Sequence, residues 1–135
     1  SGFNHLRFMI VFNRGSGSTI ATIGLRFNGD TGSNYKVLET SYIGTSITSA
    51  TSSATYAPAV FINTNNSMAV VDMSYVKANN FYKHVQSNCS VYTNSTSQFT
   101  WCSTWESNSP ITSISLISSN GAVNFSGEFT VYGSF

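Results

Sequence analysis

Apolar side chains recur on every second residue along most of this chain, a spacing that fits strands and not amphipathic helices. Leu6, Phe8, Ile10 and Phe12 share one face of a first expected strand, and Ala21, Ile23, Leu25 and Phe27 one face of a second. Tyr35 and Val37 open a third near 35–43, and Val60 and Ile62 end a fourth. Ala69, Val71, Met73 and Tyr75 define a fifth, Phe81, Val85, Cys89 and Val91 a sixth, and Phe99, Trp101 and Trp105 a seventh. Ile114 and Leu116 mark an eighth, and Phe125, Phe129 and Val131 a ninth. Turn formers separate these runs: Arg14 to Gly17, Asn28 to Gly32, Asn63 to Asn66, Asn79-Asn80 and Ser118 to Gly121. Gly and Asn reach positive φ at little cost, which is why they punctuate strands. Eight to nine short strands at this spacing predict one all-β domain over 1–135, an antiparallel β-sandwich of jelly-roll type. The stretch 45–55, Ser/Thr-rich and low in complexity, reads as a long loop.

One domain is also what 135 residues allow, and 41% hydrophobic residues suffice for one core without metal or disulfide staples. The unusual quantity is charge. Asp, Glu, Lys and Arg make up 8% of the chain, against about 25% in ordinary soluble domains. Ser, Thr and Asn, about two fifths of the residues, stand in their place. The aromatic content of 14% argues against disorder. A nearly neutral surface repels its neighbours weakly, which suits close packing against other protein. With a net charge of +1 and no basic run, the chain carries no footprint for nucleic acid. Its longest apolar run, Phe8 to Phe12, is far shorter than the roughly 20 residues of a membrane helix, so no membrane is expected as a partner. The opening Ser1-Gly2-Phe3 lacks the features of a signal peptide.

Candidate chemistry is sparse. Cys89 and Cys102 flank an expected hairpin that turns near Asn94 to Thr96. Matching apolar faces pairs Cys89 with Trp101, Val91 with Phe99 and Val85 with Trp105, which puts Cys102 on the opposite face beside Thr100 and Thr104. Two free thiols follow, as in a reducing cytoplasm. His84 falls on a polar face with Tyr82 and Gln86, and His5 opposite Leu6 and Phe8. No nucleophile-elbow motif accompanies them, and Asp30, Glu39, Asp72, Glu106 and Glu128 lack the pairing of a glycosidase. No catalytic residue is therefore expected, and no cofactor. The run Asn28 to Asn34 places oxygen side chains on alternate residues, as calcium loops do, but lacks a downstream Glu and flanking helices. It reads as a turn held by Asx hydrogen bonds from Asn28 and Asp30, with no metal. Sequons begin at Asn65, Asn88, Asn94 and Asn124 and carry little weight in so Asn- and Ser-rich a chain. Tyr42, Tyr82, Tyr92 and Tyr132 sit on polar faces, where rings could form a sugar platform and where core packing or a subunit interface explains them equally well.

Two stretches carry a family resemblance. Leu25-Arg26-Phe27-Asn28-Gly29-Asp30-Thr31-Gly32-Ser33-Asn34-Tyr35 resembles a motif in small jelly-roll structural proteins of tailed bacteriophages. Ile111 to Leu116, followed by Phe125-Ser126-Gly127-Glu128-Phe129-Thr130-Val131-Tyr132-Gly133, resembles the last two strands of those proteins, and Phe3 to Phe8 fits their first core strand. The family usually runs through a Gly-Ser pair to a final Leu-Tyr-Gly, where this chain has Gly127-Glu128 and Val131-Tyr132-Gly133. The middle of the chain is unmatched. The resemblance implies a virion protein assembled in the host cytoplasm, decorating the capsid or sitting in a tail or fibre. Its implied partners are the major capsid protein or another virion protein, and copies of itself as a homo-oligomer; common closed symmetries make a trimer the first expectation and a dimer the second. The absence of a fibre-like repeat or heptad segment favours capsid decoration over a receptor-binding or carbohydrate-binding tip.

Overall fold

The computed structural model describes residues 4–14, 20–62, 66–92, 96–120 and 125–135. It is all-β, with ten strands in two antiparallel sheets. They are β1 (His5–Arg14), β2 (Ala21–Phe27), β3 (Tyr35–Ile43), β4 (Ser46–Ala54), β5 (Ala57–Ile62), β6 (Ser67–Ser74), β7 (Lys83–Tyr92), β8 (Thr96–Trp105), β9 (Ile114–Ser118) and β10 (Phe125–Ser134). The large sheet runs β10-β1-β6-β7-β8-β3-β4 and the small one β5-β2-β9. The pairings of β1 with β10, β2 with β9 and β3 with β8 nest inside one another, as in a rolled-up hairpin of the jelly-roll kind. The strands divide unevenly between the sheets, seven against three.

The alternation decides which face meets which. Phe8, Ile10, Phe12, Val71, Met73, Val85, Cys89, Phe99 and Trp101 point from the large sheet onto Ile23, Leu25, Phe27, Val60 and Ile62 of the small one. Aromatic rings fill the space between: Phe61 lies 4.8 Å from Phe99, and Phe27 meets Trp105 edge-on at 5.5 Å. β5 is buried almost throughout, lying over β6, β7 and β8. Among the described residues, one of its backbone edges pairs with a strand, β2. Side chains of β7 reach the backbone of β5, with the Ser87 hydroxyl donating to the Ala59 carbonyl at 2.5 Å and the Phe61 N–H donating to Cys89 Sγ at 3.4 Å. Pro58, which has no N–H to give, stands opposite Gly24 where the β2–β5 register shifts. The Tyr56 ring lies where a Cβ at Gly24 would be.

The structure corrects several sequence expectations. The segment read as a loop is β4, a nine-residue edge strand paired along its length with β3. Its Ser, Thr and Ala residues give no alternating signal because neither of its faces is covered, and Ser46 to Ser53 are all exposed. Tyr75 lies beyond the end of β6 at φ 61°, and Phe81 precedes β7. Both are largely exposed and their rings face each other at 5.7 Å. Leu116, Phe129 and Val131 keep their strands but lie on edge strands and are 41–49% exposed. The β7–β8 hairpin runs two residues off the apolar-to-apolar match: Cys89 stands opposite Phe99, Val91 opposite Ser97 and Val85 opposite Ser103. A small residue opposite a large one lets the wide rings interdigitate with the second layer.

Candidate functional site

The expected chemical groups come from distant parts of the chain, and most serve the fold. Asp30, in the turn after β2, accepts hydrogen bonds from Trp105 Nε1 at 2.7 Å, from the Gly32 N–H at 2.9 Å and from the Asn34 amide. The Trp105 bond above all holds its carboxyl below the usual range. The turn is thus an Asx turn at Asp30, and its carboxylate is occupied. Asn28 does something else. At φ 51° it accepts from the N–H groups of Thr112 and Ser113 and donates to the Pro110 carbonyl, which ties the β8–β9 connection to this turn. Glu39 accepts from Trp101 Nε1 at 2.8 Å. Among the described residues no group of three His, Cys, Asp or Glu could hold a metal ion.

Lys83 is a residue the sequence reading missed. It shares the buried face with Val85, is fully enclosed, and donates to the carbonyls of Ala78, Phe81 and Ser107 at 2.6, 2.9 and 3.2 Å. Burial lowers its pKa. The signal was its parity in the strand. Its role is to gather the loops at that end of the sheet.

The four tyrosines do not converge. Tyr42 lies near the end of β3 opposite Ile47, Tyr132 lies on β10 opposite Arg7, and Tyr82 immediately precedes β7. All three are about half exposed. The Tyr92 side chain lies outside the described residues, as do the sequons at Asn65, Asn94 and Asn124. Asn88 is on the outer face of the large sheet and accepts from the Thr100 hydroxyl. The thiols are both free, Cys89 buried and Cys102 exposed.

What the structure does bring together lies on the outer face of the large sheet, away from the core. The antiparallel registers align two neighbouring rows across the strands. One contains His5, Ser74, His84, Thr104, Lys36 and Ser53; the other contains Tyr132, Arg7, Asp72, Gln86, Cys102 and Leu38. Three depressions follow these rows. One of about 680 Å³ lies across β8, β3 and β4, one of about 240 Å³ across β6, β7 and β8, and one of about 320 Å³ across β10 and β1. The first two share Cys102 and Thr104. Between the second and third stands a bidentate ion pair, Arg7 Nε to Asp72 Oδ1 at 2.7 Å and Arg7 Nη2 to Oδ2 at 3.0 Å. His5 Nε2 approaches the same carboxylate at 3.3 Å. The Arg7 hydrogen bond first, and His5 after it, hold the Asp72 carboxyl below its ordinary range. His84 Nδ1 pairs with Thr104 Oγ1 at 3.2 Å, and Lys36 Nζ donates to Ser53 Oγ at 2.9 Å. Asp72 is the one carboxylate lining these depressions.

Compared with protein-family models, with curated proteins and with solved structures, the chain matches none.

Proposed function

We propose that this chain is a structural subunit of a tailed-bacteriophage particle, without enzymatic activity, that binds and stabilises the assembled capsid as a decoration protein. Support comes from the resemblance in its first third and last quarter, and from the surface it offers. The observation that carries the reading is the pair of edges on the large sheet, β10 and β4, that no strand covers among the described residues. A sheet edge is a template for further pairing, and monomers normally guard it with Lys, Pro or inward charges. β4 contains no charge and no proline over nine residues, and β10 contains one charge, Glu128, over ten. Such edges are covered, in this reading, by copies of the chain and by the shell beneath. A partner that binds only the assembled shell shifts the assembly equilibrium by mass action. The test is light scattering on the purified domain, then co-sedimentation with phage heads that lack it. A closed oligomer, trimer first, that pellets with heads and raises their heat resistance is expected; a monomer that stays in the supernatant refutes the reading.

A further inference from the structure

We propose that the outer face of the large sheet binds a neutral glycan, laid across the strands over the three depressions that follow the His5 and Arg7 rows. The inference is independent of the assembly reading, since it concerns a face and that reading concerns edges.

The ligand class follows from the chemistry of that face. Sugar hydroxyls both donate and accept, so a sugar site needs closely mixed donors and acceptors held in place before the ligand arrives. The Arg7–Asp72 fork is locked by two mutual hydrogen bonds and flanked by His5. Those bonds use three of the roughly four acceptor sites of the carboxylate and two of the five guanidinium donors, which leaves about one acceptor and three donors for a ligand. Gln86 adds an exposed amide next in the row, and the hydroxyls of Thr104 and Ser53 are already oriented by His84 and Lys36. Sugars also present apolar C–H faces. Leu38, 44% exposed, lines the largest depression, and the Tyr132 ring, 55% exposed, lines the one at the far end.

Charge selects a neutral ligand over an acidic one. Arg7 is neutralised by Asp72, and Lys36 stands 3.6 Å from Glu106, so neither cation is left to a sulfate or phosphate. The geometry suits a chain. Neighbouring strands are about 4.8 Å apart, so a polymer crossing them meets a fresh pair of side chains at about each sugar ring. Affinity should therefore grow with oligosaccharide length.

Cys102 gives the experiment a reporter. It sits where the depressions of about 680 and 240 Å³ meet, whereas Cys89 is buried in the core with its thiol pushed up to about 11 by burial. N-ethylmaleimide therefore alkylates Cys102 alone in the native protein. The test is electrophoresis through gels cast with dextran, mannan, β-glucan or galactan, with dextran sulfate as the acidic control. The rate of Cys102 alkylation is then measured with the retarding sugar present. Expected are retardation by at least one neutral polysaccharide, slowed alkylation in its presence, and about tenfold weaker binding in Gln86→Ala and in Leu38→Ser, or about 1.4 kcal/mol each. Both residues are exposed, and unchanged thermal midpoints establish that the variants fold. Retardation by none of the four, retardation by dextran sulfate alone, an unchanged alkylation rate, or variants that bind like the parent would each overturn the proposal.

Discussion

Ser67, Ser87 and Ser103 point into the same core from neighbouring strands, yet their energetic roles differ in sign. The Ser87 hydroxyl donates to the Ala59 carbonyl on β5. Ser67 and Ser103 are buried and their hydroxyls have no hydrogen-bond partner among the described residues. An unpaired buried polar group costs about 1–3 kcal/mol, while a paired one contributes modestly and is expensive to orphan. Ser67→Ala and Ser103→Ala should each raise stability by about 1 kcal/mol, and Ser87→Ala should lower it by about 1–3 kcal/mol, read from urea midpoints at constant slope. Asp30 and Asp72 make a second contrast, in pH. Both carboxyls are held below their unfolded value of about 3.9, by Trp105 and by Arg7 respectively. A depressed carboxyl stabilises the fold fully above its unfolded pKa, and that contribution disappears as pH falls through the folded pKa. Acid unfolding should therefore begin below about pH 4. Asp30→Ala should cost about 2 kcal/mol at pH 7, the worth of hydrogen bonds to a charged group, and the difference from the parent should shrink as the acid limb is entered. A pH series of chemical denaturation curves checks both statements.

At the scale of strands, what could be read in the sequence was the face of each residue, and what could not was the register between strands. A strand repeats every two residues, so parity places Cys89 inside and Cys102 outside even when the hairpin is drawn two residues out of step. In the true register β7 carries β5 across its inner face, a contact between segments that no local pattern reports. The same limit hid the alignment of polar groups on the outer face. Parity put His84 and Gln86 on a polar face, but Arg7 and Asp72 are 65 positions apart and meet only once β1 and β6 have paired. β4 was illegible for another reason: alternation records a difference between two faces, and both faces of β4 meet solvent. At Gly127 a Cβ would collide with the Val11 carbonyl and the Phe12 ring. Gly127→Ala should cost about 1–3 kcal/mol, the usual range for forcing extra volume into a packed site. Because β10 is an edge strand, the loss should also raise amide exchange in β10 and β1 before the rest of the large sheet.

The whole molecule is a seven-stranded sheet covered on one face by only three strands, so both of its margins extend past the core. This explains where the apolar exposure lies. Val131 on β10 and Ala50 on β4 occupy the same ladder row as the core residues Phe8, Val71 and Trp101, yet both are exposed, because the small sheet does not reach them. Three lysines and two prolines serve the entire chain, and neither residue type occurs in β4 or β10. If copies or a shell cover these margins, a lysine placed there blocks assembly without touching the core. Val131→Lys and Ala50→Lys should each change stability by less than about 0.5 kcal/mol, as exposed substitutions do. They should also bring the mass measured by light scattering down toward 14.6 kDa. The two edges need not act alike. In a ring closed by β4 of one copy against β10 of the next, either lysine alone opens it, whereas an isologous contact uses the same edge from both partners and responds to one lysine only. A mass that neither variant lowers would mean that the edges are not the contacts.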